Sequence, residues 1–199
     1  MSSLGSHEKQ LLLEVARQAV TAAAERREFP GDLPQESVLN ECVGAFVTLR
    51  SRGRLRGCIG QLASEQSLVQ VVAHCAKGAA LDDPRFKPVG PEEIAEIEIE
   101  LSVLSAPEDI APERIEAGKH GLMVSRGWQR GVLLPQVATE LRWDSGRFLE
   151  EACAKAGLEI DAWKDPGTRI QAFTAEVFSE SEFGPRRRPQ NRLGYSIST

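Results

Sequence analysis

Between Glu8 and Arg27 the apolar positions Leu12, Val15, Ala16, Ala19, Val20 and Ala23 recur at helical spacing, while Glu14, Arg17, Gln18 and Glu25 fall elsewhere around the wheel. That pattern predicts an amphipathic packing helix. Two prolines and a glycine in Phe29-Pro30-Gly31-Asp32-Leu33-Pro34 break the period and predict a loop. Val43 to Leu49 is β-branched and apolar, Ser51-Arg52-Gly53 reads as a turn, and Arg54 to Ile59 reads as the return strand of a hairpin. From about Gln66 to Ala80, Leu68, Val71, Val72, Cys75 and Ala79 mark the apolar face of a second helix. The prolines of Leu81-Asp82-Asp83-Pro84-Arg85-Phe86-Lys87-Pro88 stop it, because each biases its predecessor away from the helical region.

Pro91-Glu92-Glu93-Ile94 suits a short helical turn, with proline first and carboxylates near the positive end of the peptide dipoles. Ile97, Ile99, Leu101 and Val103 then alternate with Glu96, Glu98, Glu100 and Ser102, the pattern of a strand with one buried and one wet face. Beyond Pro107 a second lobe is predicted, with strand-like segments at Gly121 to Val124 and Gly131 to Leu134 around Ser125-Arg126-Gly127-Trp128, the second segment closed by Pro135. Asp144 can cap a helix that carries Phe148, Leu149, Ala152 and Ala156 and ends at Gly157. Ile170 to Val177 predicts a last strand. The expected class is α+β: a mixed or antiparallel sheet flanked by helices, with a second, smaller α/β lobe. One two-lobed unit over residues 8–182 is expected, followed at 183–199 by a flexible basic tail in which Pro185-Arg186-Arg187-Arg188-Pro189 has no apolar pattern.

Composition narrows the partners. At 199 residues and 41% hydrophobic content the chain can bury a proper core. Its net charge of -5 supplies no overall basic field, which disfavours nucleic acid. The N-terminal residues lack the apolar core of a secretory signal, and no apolar run approaches the ~20 residues of a membrane span. A cytoplasmic protein without a membrane partner is expected. Cys42, Cys58, Cys75 and Cys153 are scattered without a C-x-x-C pair, so free thiols are expected rather than a disulfide framework or a structural metal site. No cofactor is implied, because H-E-x-x-H, G-x-x-x-x-G-K-[ST], G-x-S-x-G and the dinucleotide fingerprint are all missing from the sequence.

Chemistry concentrates in Leu55-Arg56-Gly57-Cys58-Ile59-Gly60. Read as a regular strand, a period of two sends Leu55 and Ile59 to one face and Arg56 and Cys58 to the other. A fixed positive charge beside an accessible thiol favours thiolate, the form that acts as a nucleophile. Gly57 and Gly60 then mark a bulge or the close approach of a ligand or another backbone. A buried cysteine in an ordinary hairpin strand is the competing reading. Catalysis at Cys58 would need a base and a charge stabiliser, for which the sequence offers His74, His120 or Glu100, and Arg56 with Arg85. His74 is offset from its helix's apolar stripe and points either to solvent or into a cleft. Asp83 and Arg85 serve either a shaped turn or an anion site, and Glu100 with Ser102 falls on the wet face of its strand.

Gly44-Ala45-Phe46-Val47-Thr48-Leu49, the Leu-Arg-Gly-Cys-Ile-Gly hexapeptide and Asp83-Pro84-Arg85-Phe86 resemble the signature of the AMMECR domain family. The resemblance continues through Glu100-Leu101-Ser102-Val103-Leu104, His120-Gly121-Leu122, Leu133-Leu134-Pro135-Gln136-Val137, Trp143-Asp144 and Cys153-Ala154-Lys155-Ala156-Gly157-Leu158, from about residue 8 to about residue 180. Prokaryotic members are called AmmeMemoRadiSam system protein A. By association, that name implies a pathway shared with a radical S-adenosylmethionine protein and a Memo-type protein. The resemblance carries no assigned reaction. Two classes of function stay open: a Cys58-dependent enzyme or covalent carrier for a small anionic substrate, or a module that binds a small molecule or peptide in an interlobe cleft without chemistry. Gly57, Gly60, Asp83, Arg85 and Ser102 are the expected ligand contacts.

Overall fold

The alternating segments of the first half form a four-stranded antiparallel sheet in the order β2-β1-β3-β8, from β1 (Ala45–Ser51), β2 (Arg54–Gln61), β3 (Ile97–Leu104) and β8 (Ala175–Ser179). The computed structural model describes residues 4–29, 31 and 33–184, so the expected basic tail from Pro185 onward lies outside the described residues. Helices α1 (Ser6–Ala24) and α2 (Leu68–Leu81) cover one face of this sheet. Ala45, Val47 and Leu49 of β1 and Ile97, Ile99, Leu101 and Val103 of β3 meet Leu12, Val20, Val72 and Cys75 in a continuous core. Burial of this alternate set supplies the main driving force, at about 1.5–3 kcal/mol for each large side chain. Ser67 and Gln70 cap α2 reciprocally, which fixes its start at Leu68, two residues after the expected Gln66. The first hairpin closes through Arg52 and Gly53, both in the left-handed region at φ 51° and 75°, the backbone of a two-residue turn whose twist matches the strands.

The second sheet is also antiparallel, in the order β4-β7-β5-β6, from β4 (Glu108–Asp109), β5 (Gly121–Arg126), β6 (Gln129–Leu133) and β7 (Arg169–Phe173). Leu122 and Val124 of β5 and Ile170 and Ala172 of β7 pack against Phe148, Leu149, Ala152 and Cys153 of α4 (Ser145–Lys155). Asp144 caps α4 by accepting from the Arg147 N–H at 2.8 Å, and Gly157 takes φ 72° just beyond its end, both as expected. Pro135 does more than close a strand. It occupies the first position of a further helix, α3 (Pro135–Leu141), where its missing N–H costs nothing.

The expected single last strand is two strands in different sheets. The chain passes from β7 in the second sheet through Thr174 into β8 in the first. Where this crossing meets the one from β3 to β4, Ser105 N–H donates to Thr174 O at 2.9 Å and Thr174 N–H donates to Ser105 Oγ at 3.0 Å. At the end of the described chain, Phe183 packs against the first core. No helix among the described residues is long and apolar enough to cross a membrane.

Candidate functional site

The face of the first sheet away from α1 and α2 carries a row of three chemically active side chains. Thr48 of β1 lies opposite Cys58 of β2 on one side and opposite Glu100 of β3 on the other. Strands are ~5 Å apart, so the outer members of the row are separated by about twice that. The Thr48 hydroxyl donates to Cys58 Sγ at 3.4 Å. Arg50, two residues along β1, reaches Glu100 Oε1 with Nη2 at 3.4 Å. Ser102, two residues along β3, is buried and accepts from Gln136 Nε2 of α3 at 3.3 Å, which brings the second lobe against this face. Gln136 Oε1 is itself buried with no hydrogen-bond partner among the described residues.

The loop after α2 closes the open edge of β2 over Cys58. Asp83 Oδ2 accepts from the Cys58 backbone N–H at 2.8 Å, an edge-strand donor that no neighbouring strand can satisfy. The same buried carboxylate accepts from Arg85 Nε at 3.0 Å, from Arg85 Nη2 at 2.8 Å and from the Arg85 N–H at 3.1 Å. These bonds, led by the Arg85 guanidinium, hold the Asp83 carboxyl well below the usual carboxylate range against the opposing effect of its burial. Arg85 is pushed above its ordinary value chiefly by the Asp83 bond, with a smaller contribution from the Cys58 sulfur. Asp83 therefore ties a guanidinium to the backbone of the cysteine.

Arg56 does not share a face with Cys58 in the expected way. Arg50 pairs with Leu55, but Leu49 pairs with Gly57, so Arg56 is the extra residue of a β-bulge. The bulge breaks the period of two, so that Leu55 lies opposite Arg50 and is 38% exposed, whereas Ile59 lies opposite Val47 on the core side. The Arg56 guanidinium turns to Glu93, with Nε–Oε2 at 2.7 Å and Nη2–Oε1 at 2.9 Å, and lies 5.9 Å from the centre of the Phe86 ring. That pairing lowers Glu93 and raises Arg56. The arginine tied to Cys58, through Asp83 and the Cys58 backbone N–H, is Arg85, and Arg56 fastens the Phe86 loop.

Gly57 and Gly60 are packing positions. A Cβ on Gly57 would stand 2.2 Å from the carbonyl oxygen of Ala79 in α2, and a Cβ on Gly60 would stand 2.2 Å from the Phe46 ring. Each lets a neighbouring group approach the β2 backbone. The two histidines lie apart from the row. Exposed His74 lines a groove between α1 and α2, and His120 lines a cavity of about 370 Å³ in the second lobe, where its Nδ1 accepts from the Glu116 N–H at 3.1 Å. Cys42 is exposed and donates to Glu65 O at 3.3 Å. Burial pushes the Cys75 thiol up to about 11 and also raises Cys153. Among the described residues, no group of three or more His, Cys, Asp or Glu is arranged to hold a metal ion.

Thr48 and Gln136 are the site residues that sequence reading missed. Both stand in segments that carry the family resemblance, and alternation along β1 was the signal for Thr48. No local signal places Gln136 on Ser102, which lies 34 residues away in sequence.

The sequence profile of the AMMECR1 family matches residues 13–178. A protein of Methanothermobacter thermautotrophicus is 43% identical over 187 residues, covering 89% of this chain and 96% of its own length. A Thermococcus kodakarensis protein is 42% identical over 194 residues, covering 90% of this chain and 94% of the relative. Among solved structures, an uncharacterized protein from Pyrococcus horikoshii superposes with a TM-score of 0.77 at 40% identity, over 90% of this chain and 95% of the other.

Proposed function

Since this chain belongs to the AMMECR1 family, we propose that it works at the Cys58 row, as an enzyme or covalent carrier that takes a small anionic electrophile. The observation that carries this reading is the double use of Asp83, which binds the Cys58 N–H and holds the Arg85 guanidinium in the same place. On this reading the shared carboxylate is what would bring a nucleophile and an anion partner together. With a carboxylate-bearing aldehyde, Arg85 would take the carboxylate. Cys58 Sγ would form a bond to the carbonyl carbon, the C=O π pair would pass to oxygen, and the thiol proton would end on that oxygen. The product is a thiohemiacetal with no leaving group and no change of oxidation state. Thr48, hydrogen-bonded to the sulfur, would orient it. A cytoplasmic setting, expected from the sequence, and a pathway shared with radical S-adenosylmethionine and Memo-type proteins, implied by the family resemblance, belong to the same proposal.

A second reading, a ligand- or peptide-binding module without chemistry, draws on the placement of His74 and His120, which leaves no imidazole in the Cys58 row. Carbon-13 glyoxylate separates the two. An adduct signal that appears with the native protein, vanishes in Cys58→Ser and weakens in Arg85→Met supports the covalent reading. Unchanged glyoxylate affinity in folded Cys58→Ser supports the binding module.

A further inference from the structure

β6 is the outer strand of the second sheet, with β5 on one side and no strand on the other. The two-residue turn Gly127-Trp128 makes Arg126 and Gln129 the hydrogen-bonded pair beside it, so a period of two turns the N–H and C=O of Gln129, Gly131 and Leu133 towards β5. The N–H and C=O of Arg130 and Val132 therefore point outward, and they have no hydrogen-bond partner among the described residues. Elsewhere edge groups are covered: Asp83 takes the Cys58 N–H of β2, β4 pairs with β7, and Glu182 takes the Ser179 N–H of β8. At the tip of the β5–β6 hairpin, Trp128 is 93% exposed, the most exposed large apolar side chain among the described residues. An open edge is a template for an added strand, and a solvated tryptophan beside it is an anchor of the kind interfaces favour.

The packing over β6 decides what can be added. Gly131 faces α4: a Cβ there would stand 2.3 Å from the Ala156 nitrogen and 2.6 Å from the Ala152 carbonyl oxygen, so the helix backbone rests directly on this strand. An antiparallel contact between two copies of β6 would bring a second α4 onto the same face ~5 Å from the first, where packed helices need ~8–10 Å. An extended segment without a helix meets no such conflict. On the face away from α4, Val132 and exposed Arg130 stand two residues apart, and Arg130 has no carboxylate partner among the described residues. We propose that β6 takes an extended peptide of a partner protein as a fifth, antiparallel strand, with an apolar residue opposite Val132 and an acidic residue two positions later opposite Arg130. Ladder bonds to Arg130 and Val132 supply the affinity, the cross-strand pairs select the sequence, and an apolar residue two positions further on meets Trp128. This surface is separate from the Cys58 row and does not depend on the chemistry proposed there.

The probe is a capped heptapeptide with valine, glutamate and isoleucine at alternate inner positions and threonine elsewhere, titrated into full-length nitrogen-15-labelled protein. The amide signals of Arg130 and Val132 and the indole signal of Trp128 are expected to shift, and hydrogen exchange at the two amides to slow. N-methylation of the valine and glutamate removes the peptide's ladder donors and should weaken binding about tenfold or more, whereas N-methylation of the threonines between them, whose amides face solvent, should change it less than about threefold. Arg130→Glu should weaken binding of this peptide about threefold and favour its lysine counterpart. The first comparison alters only the peptide, so it holds even if Arg130→Glu disturbs the fold. Equal affinity of the valine- and glutamate-methylated peptide, no preference for glutamate over lysine in the native protein, shifts centred on Val177 of β8, or a dimer in which Arg130 and Val132 are already protected would each overturn the proposal.

Discussion

At Asp83 one carboxylate accepts four hydrogen bonds, three from Arg85 and one from Cys58. Asp83→Ala leaves the Cys58 N–H and the guanidinium without their acceptor, and a loss of about 2–3 kcal/mol in urea unfolding is expected. Because the folded carboxyl lies below its unfolded value, its stabilisation is complete above about pH 4 and is lost as pH falls through the folded value. Stability of the native protein should therefore fall more steeply below pH 4 than that of Asp83→Ala, as denaturant midpoints at stepped pH would record. Arg56→Met tests the corrected role of that residue. Its side chain is 16% exposed and paired to Glu93, so truncating the charge should cost about 1–3 kcal/mol and leave Cys58 labelling unchanged. The four cysteines divide by burial: brief iodoacetamide treatment of the folded protein should label Cys42 and Cys58 and spare Cys75 and Cys153, with peptide mapping as the readout. Rapid labelling of Cys75 would mean that the first core opens readily.

The hairpin of β1 and β2 shows how one element decides what a residue can do. Its two-residue turn sets Ser51 opposite Arg54, and on that register alone Cys58 would face Val47 in the core. The bulge at Arg56 adds one residue, moves Ile59 opposite Val47, and brings Cys58 round to Thr48 on the polar face. Position 57 must then accept the close approach of α2. Gly57→Ala would drive a Cβ to 2.2 Å from the Ala79 carbonyl, and a backbone carbonyl cannot move aside cheaply, so a loss of about 2–3 kcal/mol is expected. Gly53→Ala is the control: it meets nothing within 4 Å, and only the positive φ of 75° opposes it, at about 1 kcal/mol. Equal losses in paired thermal melts would remove the packing account. Helix and strand positions were legible because their apolar residues repeat at 3.6 or 2. The bulge was not, because an added residue leaves the local composition unchanged and shows only in the partner it faces.

Over the whole molecule, two sheets with separate helix-backed cores are joined where β3 leads to β4 and β7 leads to β8. The side-chain link across the lobes at the polar face is Ser102 to Gln136. A double-mutant cycle of Ser102→Ala and Gln136→Met should give a coupling of about 1 kcal/mol, the ordinary net worth of one such bond. Strict additivity in urea unfolding would show that the lobes meet there without holding one another. The α+β class, both hairpins and the capped helix after Asp144 were determined by the sequence alone. Each depends on spacing within about a dozen residues, and short-range periodicity and capping carry that information along the chain. Tertiary structure alone decided that Asp83 ties Arg85 rather than Arg56 to the Cys58 backbone, that Thr48 lies between Cys58 and Glu100, and that His74 and His120 line other cavities. It also decided that the last strand is split between the sheets. These are matters of which distant segment lies alongside which, set by the register of paired strands and the competition of whole faces for burial, and no local stretch contains them.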